Sequence, residues 1–187
     1  DLEQTAKKLA EALKFIGELI SEEKTLLFIG TKIQLKELVK KTAKELNLPY
    51  VTERWLGGTF TNFQTILKRI EYFKKLEEKK ASEDFGEYSK KEKIKINKES
   101  ERLKIKFEGI KNLAKLPDAI FITDLKKDIL AAKEARKKGV KIIAVSDTNV
   151  DPTLADFPIP ASDDAISSVK YILDKVKETI SRVKPKK

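Results

Sequence analysis

Ala119-Ile120-Phe121-Ile122-Thr123, a helical stretch from about Asp128 to Lys138, then Gly139 and Val140-Lys141-Ile142-Ile143-Ala144-Val145 decide the fold of this chain. Both flanking runs are continuously apolar rather than alternating, which fits strands buried on two faces. Pro117-Asp118 opens the first run, and Gly139 stands where helix C-termini favour glycine. A strand, a helix and a second strand in so few residues form a parallel crossover unit.

The same rhythm extends outward in both directions. Upstream, Leu2, Leu9, Leu13, Ile16 and Ile20 repeat at helical spacing, followed by the apolar run Thr25-Leu26-Leu27-Phe28-Ile29 ending at Gly30. Leu35, Leu38, Val39, Ala43 and Leu46 mark a second helix, which Asn47 and Pro49 stop. Pro49-Tyr50-Val51-Thr52 is a further strand. Downstream, Phe157-Pro158-Ile159-Pro160 reads as a short strand whose prolines assign it to a sheet edge. A last helix is expected from near Asp163, with Ile166, Val169, Ile172, Leu173, Val176 and Ile180 on one face, and Asp163-Asp164 as its N-terminal caps. The result is a five-stranded parallel sheet with helices on both faces.

Residues 63–112 interrupt this order. Ile66, Ile70, Phe73 and Leu76 define one charged helical stretch. Ile96, Leu103 and Ile110 define a second at seven-residue steps, with Phe107 between them. Ser82 to Ser89, containing Gly86, supplies the turn. The spacing predicts an antiparallel coiled-coil hairpin whose helices cover only each other. The expected division is a globular domain over 1–62 and 113–187 with an inserted hairpin over 63–112.

Composition narrows the chemistry. The 187 residues contain no cysteine and no histidine, which excludes disulfides, thiolate or imidazole metal sites and Ser-His-Asp catalysis. No run of about 18 apolar residues exists to form a membrane-spanning helix. The net charge is +10, and lysine supplies 35 of the 40 cations. Residues 1–64 carry 10 cations against 9 anions, 65–112 carry 15 against 10, and 113–187 carry 15 against 11. The surplus therefore lies in the hairpin and the C-terminal half. Lysine makes point-charge contacts with phosphate rather than bidentate base readings, so the expected partner is a polyanion held by its backbone.

Three groups of residues could carry chemistry. Ligands in parallel sheets sit at the carboxyl ends of strands. Here those ends bring Gly30, Lys32, Asp124 and Asp147, and Asp124 and Asp147 with the nearby Asp151 offer carboxylates to a magnesium ion. They allow a nucleotide- or magnesium-binding enzyme as the alternative function, although neither GxxxxGK[ST] nor GxGxxG is present and turn formation accounts for the aspartates. The second group is Glu53-Arg54-Trp55-Leu56-Gly57-Gly58-Thr59-Phe60-Thr61-Asn62-Phe63. Arg54 beside the only tryptophan in a glycine-rich loop suits phosphate clamping or base stacking. Trp55 and Phe63 equally suit seating the hairpin, with Thr61 or Asn62 capping its first helix. The third group comprises the cations Lys68, Arg69, Lys74, Lys75, Lys90, Lys91 and Lys93 along the hairpin and its tip.

Arg54-Trp55-Leu56-Gly57-Gly58-Thr59-Phe60-Thr61-Asn62 resembles the RWLGG-x-x-TN signature of the second small-subunit ribosomal protein family, bacterial and organellar type. Asp1 to Thr5, Phe28 to Lys32, Leu116 to Ala119, Asp147 to Pro152 and Ile159 to Ala165 resemble further family segments in the same order. The resemblance covers nearly the whole chain. It implies a flavodoxin-like fold with an inserted coiled coil and no catalytic activity or cofactor. It also implies a structural place in the small ribosomal subunit, in a cytoplasmic or organellar ribosome. Implied partners are small-subunit ribosomal RNA and neighbouring ribosomal proteins, including the largest of that subunit, without a membrane or homo-oligomer. Family members open with a basic, aromatic segment, and on this resemblance the chain is expected to start after it. The residues expected to touch RNA are Lys32, Arg54, Lys68, Arg69, Lys74, Lys75, Lys90, Lys91 and Lys93. Trp55, Gly57, Gly58, Thr61 and Asn62 form the signature's structural frame.

Overall fold

The computed structural model describes residues 1–184. Helix α1 (Leu2–Ser21) opens on Asp1, whose carboxylate accepts the Glu3 N–H at 3.0 Å. That bond satisfies one of the donors every helix N-terminus leaves open. Strand β1 (Leu26–Ile29), helix α2 (Lys36–Glu45) and strand β2 (Tyr50–Val51) follow. Asn47 takes φ +54° just beyond α2, a left-handed conformation that asparagine tolerates. After the 63–112 segment come β3 (Ala119–Ile122), α5 (Ile129–Lys137), β4 (Lys141–Ser146), β5 (Phe157–Pro160) and α6 (Ile166–Val183).

The five strands are all parallel in the order β2-β1-β3-β4-β5, the flavodoxin-like arrangement. Phe28 stands opposite Tyr50 and Phe121, and Ile143 opposite Phe121 and Phe157. The proline-bearing strand is at the edge. Asp156 and Ala161, flanking it, donate to the carbonyls of Ile142 and Ser146.

Side chains alternate across the sheet with the strand period of two. Leu26, Phe28, Phe121, Ile143, Val145 and Ile159 face a core closed by α1, α2 and α6. Leu27, Ile29, Ile120, Ile122 and Ile142 face a second core closed by α5 and by the inserted helices. These are α3 (Phe63–Ala81) and α4 (Lys90–Phe107), joined by a 3-10 turn at Glu83–Glu87. The expectation that they cover only each other is corrected here. Ile66, Ile70, Phe73, Leu103 and Phe107 belong to one apolar cluster with the sheet. The slot above a β2-to-β3 crossover must be filled by something, and the base of the insertion fills it.

Two further expectations change. α4 ends at Phe107, and Ile110 lies in a separate 3-10 turn (Glu108–Ile110), so the seven-residue repeat does not run through one helix. Gly109 in that turn approaches β2 so closely that a Cβ would come within 2.0 Å of the Tyr50 carbonyl oxygen. α6 begins at Ile166 rather than near Asp163, with Ala165 before it and no side-chain cap among the described residues. The Asp163 and Asp164 carboxylates are drawn to a stronger partner, a lysine ammonium.

Candidate nucleic-acid interface

The glycine-rich signature loop is built around a buried carboxylate. Glu134 on α5 is 5% exposed. Its oxygens accept the backbone N–H groups of Gly58 at 2.7 Å, Phe60 at 2.9 Å and Thr61 at 3.3 Å. Gly58 has φ +89°, which turns successive amides toward one point and favours glycine there. Trp55 is buried and packs edge-on against Phe60 with ring centroids 4.8 Å apart. It belongs to the second core, so its ring is closed to base stacking, and its Nε1 has no acceptor among the described residues. Asn62 precedes α3, but its side chain accepts the Thr65 hydroxyl at 2.9 Å rather than a helix amide. Thr61 and Gly57 are exposed on the loop's outer side.

This frame leaves Arg54 in solvent. It lines a cleft of about 210 Å³ between the end of β2 and the last turns of α4. Lys40, Lys104 and Lys106 share the cleft with Glu53, Glu101 and Glu108. Glu53 is paired with Lys36 at 2.8 Å.

Along the insertion, Lys68, Arg69, Lys75, Lys90 and Lys91 are exposed, and Lys74 is half-buried. Lys93 turns back to the tip, donating to the Gly86 carbonyl at 2.8 Å and lying 5.9 Å above the Phe85 ring. Ser89 and Glu92 form a reciprocal capping box that starts α4. The structure thus gathers most of the expected cations on one element, with Arg54 near its base.

Lys32 lies elsewhere, at the carboxyl ends of the strands. Its ammonium is 3.1 Å from Asp124, 3.2 Å from Asp163 and 2.6 Å from Asp164. Burial acts to lower its pKa, but the three carboxylates outweigh it and raise the group well above the usual lysine range. The neighbouring turn is closed by Asp128, which accepts the Thr31 N–H at 3.2 Å and hydroxyl at 2.6 Å. Burial raises the Asp128 pKa, with the Thr31 bonds opposing. A phosphate at this turn would need those same donors, and the protein's own carboxylate already holds them. Gly30 is pressed between Val39 and Thr123, with no room for a side chain. Asp147, Asp163 and Asp164 bring carboxylate oxygens within 4.8 Å of one another. Two of those three are the ones that bind Lys32. Asp151 instead binds Thr153 in a turn.

Glu134 and Asp128 were not visible as site residues from sequence. The available signal was a carboxylate beside Ala131 and Ala135, on the apolar side of a short helix.

A family profile described as Ribosomal protein S2 matches residues 1–182. The chain is 46% identical over 180 residues to the small ribosomal subunit protein uS2 of Dictyoglomus thermophilum, covering 96% of this chain and 73% of that one. It is 45% identical over 180 residues to the protein of the same name from Dictyoglomus turgidum, with the same coverage.

Proposed function

This chain belongs to the ribosomal protein S2 family, and from that premise we propose that it works by holding small-subunit ribosomal RNA through lysine-rich surfaces. It is a structural constituent of the small ribosomal subunit and not an enzyme. The observation that carries the RNA reading is the collection of exposed cations on the inserted helices, an element with a surplus of five charges.

Arg54, Lys68, Arg69, Lys74, Lys75, Lys90, Lys91 and Lys93 supply phosphate contacts, and each contact releases counterions from the RNA. Lys32 serves a different end, tying the strand termini to the start of α6. Residues 63–112 act as one inserted module on the 1–62 and 113–187 body. The partners are ribosomal RNA and neighbouring small-subunit proteins, the largest of them included, in a cytoplasmic ribosome.

The test is binding to purified small-subunit ribosomal RNA as salt is raised from about 50 to 200 mM. With six or more phosphate contacts, affinity falls about a thousandfold or more. Affinity that stays level across this range refutes the electrostatic account.

A further inference from the structure

We infer that the solvent face of α4 and the Arg54 cleft form one continuous track for an RNA backbone. Lys91, Lys95, Lys98, Arg102 and Lys106 follow one another at steps of four, three, four and four residues. At 3.6 residues per turn they fall within about 80° of arc and span roughly 22 Å. The buried residues Ser100, Leu103 and Phe107 lie on the opposite side of the helix. The first four cations are exposed, and among the described residues Arg102 pairs only with Glu99 of its own helix, at 2.7 Å on the surface. Such a pair is weak in solvent and yields to a phosphate.

The row does not end at the helix terminus. Lys106 lines the cleft that Arg54 and Lys40 face from the body. Lys40, Arg54, Lys104 and Lys106 there face Glu53, Glu101 and Glu108, so the cations outnumber the carboxylates by one, and Glu53 is also paired with Lys36 from outside the cleft. Ile94 and Ile105 flank the row at 57% and 61% exposure. Charge complementarity along the row commits the face to nucleic acid. This rests on the RNA reading above and adds Lys95, Lys98, Arg102 and Lys106 to it, joining tip and base into one path.

The experiment compares the full chain with Lys95→Gln/Lys98→Gln/Arg102→Gln. A control, Lys126→Gln/Lys127→Gln/Lys138→Gln, removes equal charge at exposed positions flanking α5. Binding to small-subunit ribosomal RNA is measured against salt. The track variant loses about 2 to 3 from the slope of log affinity against log salt, while the control keeps the parent slope. A track variant with the parent slope, or a control that loses as much, overturns the track while the parent's own steep slope leaves the RNA reading intact. A parent without salt-dependent binding overturns the RNA reading itself. Because the chain has no cysteine, Ile94→Cys and Glu53→Cys each accept one tethered iron chelate. Cleavage from the two positions falls on one continuous stretch of RNA if the track is continuous. Cleavage confined to unconnected RNA segments refutes it.

Discussion

Replacing Glu134 with alanine removes the acceptor that three amides of the signature loop share. One of those amides is fully buried and two are partly buried. An orphaned buried donor costs about 1–3 kcal/mol, and bonds to a charged acceptor sit at the upper end of that range. The carboxylate's own desolvation offsets part of the gain, so Glu134→Ala destabilises by about 4 kcal/mol. At an m-value of about 2 kcal/mol/M this moves the urea midpoint by roughly 2 M. Glu134→Gln keeps the volume and one oxygen, but its NH2 faces an amide donor, and the expected loss is about half as large. Trp55 is the only tryptophan and lies against Phe60, whose amide Glu134 holds, so its fluorescence reports the loop directly. Both variants should shift its emission toward that of exposed tryptophan before global unfolding begins. If Glu134→Ala loses less than about 1 kcal/mol, the loop is fixed by packing and the carboxylate account is wrong.

Two other predictions rest on single residues. The raised Asp128 pKa means that the folded chain binds a proton more readily than the unfolded one above the ordinary value of 3.8. Stability from this group therefore falls as pH rises through that window and is flat above it, so wild type minus Asp128→Asn, measured by urea unfolding, is more favourable near pH 4 than at pH 7; the opposite order refutes this. Gly109→Ala drives a Cβ into the Tyr50 carbonyl and lowers the melting temperature by roughly 6–12 °C for a loss of about 3 kcal/mol, whereas Gly86→Ala, with nothing within 4 Å among the described residues, melts like the parent; equal melting of the two variants removes the clash argument.

The sheet was readable because its signals are local. The runs of β1 to β4 are short and apolar with a glycine or proline close to one end, β5 carries its prolines within it, and alternation with helices leaves few topologies. What escaped the sequence depends on distant partners. Asp163 and Asp164 have the composition of helix caps, yet Lys32, 131 residues away from Asp163 in the chain, draws both carboxylates and α6 starts later. Lys32 looks like a phosphate ligand until its three acidic neighbours are placed around it. Glu134 looks like surface charge until the Gly58 turn folds over it. The insertion was legible as two helices, but not its seating, because the spacing of Ile66, Ile70 and Phe73 does not say whether they meet a helix or a sheet.

The contact between Gly109 and the Tyr50 carbonyl also has a mechanical side. α4 is 18 residues long, about 27 Å at 1.5 Å per residue. It behaves as a lever whose fulcrum is that contact, reinforced by the Glu77–Lys111 pair beside it. An angular error of about 5° at the fulcrum displaces the far end by roughly 2 Å over that length, enough to carry an ammonium out of hydrogen-bond reach of a fixed acceptor. Gly109 is held against both the Tyr50 carbonyl and the edge of the Tyr50 ring, which leaves little play. The arm is thus aimed before any partner arrives, and less of the ordering cost falls on the moment of assembly.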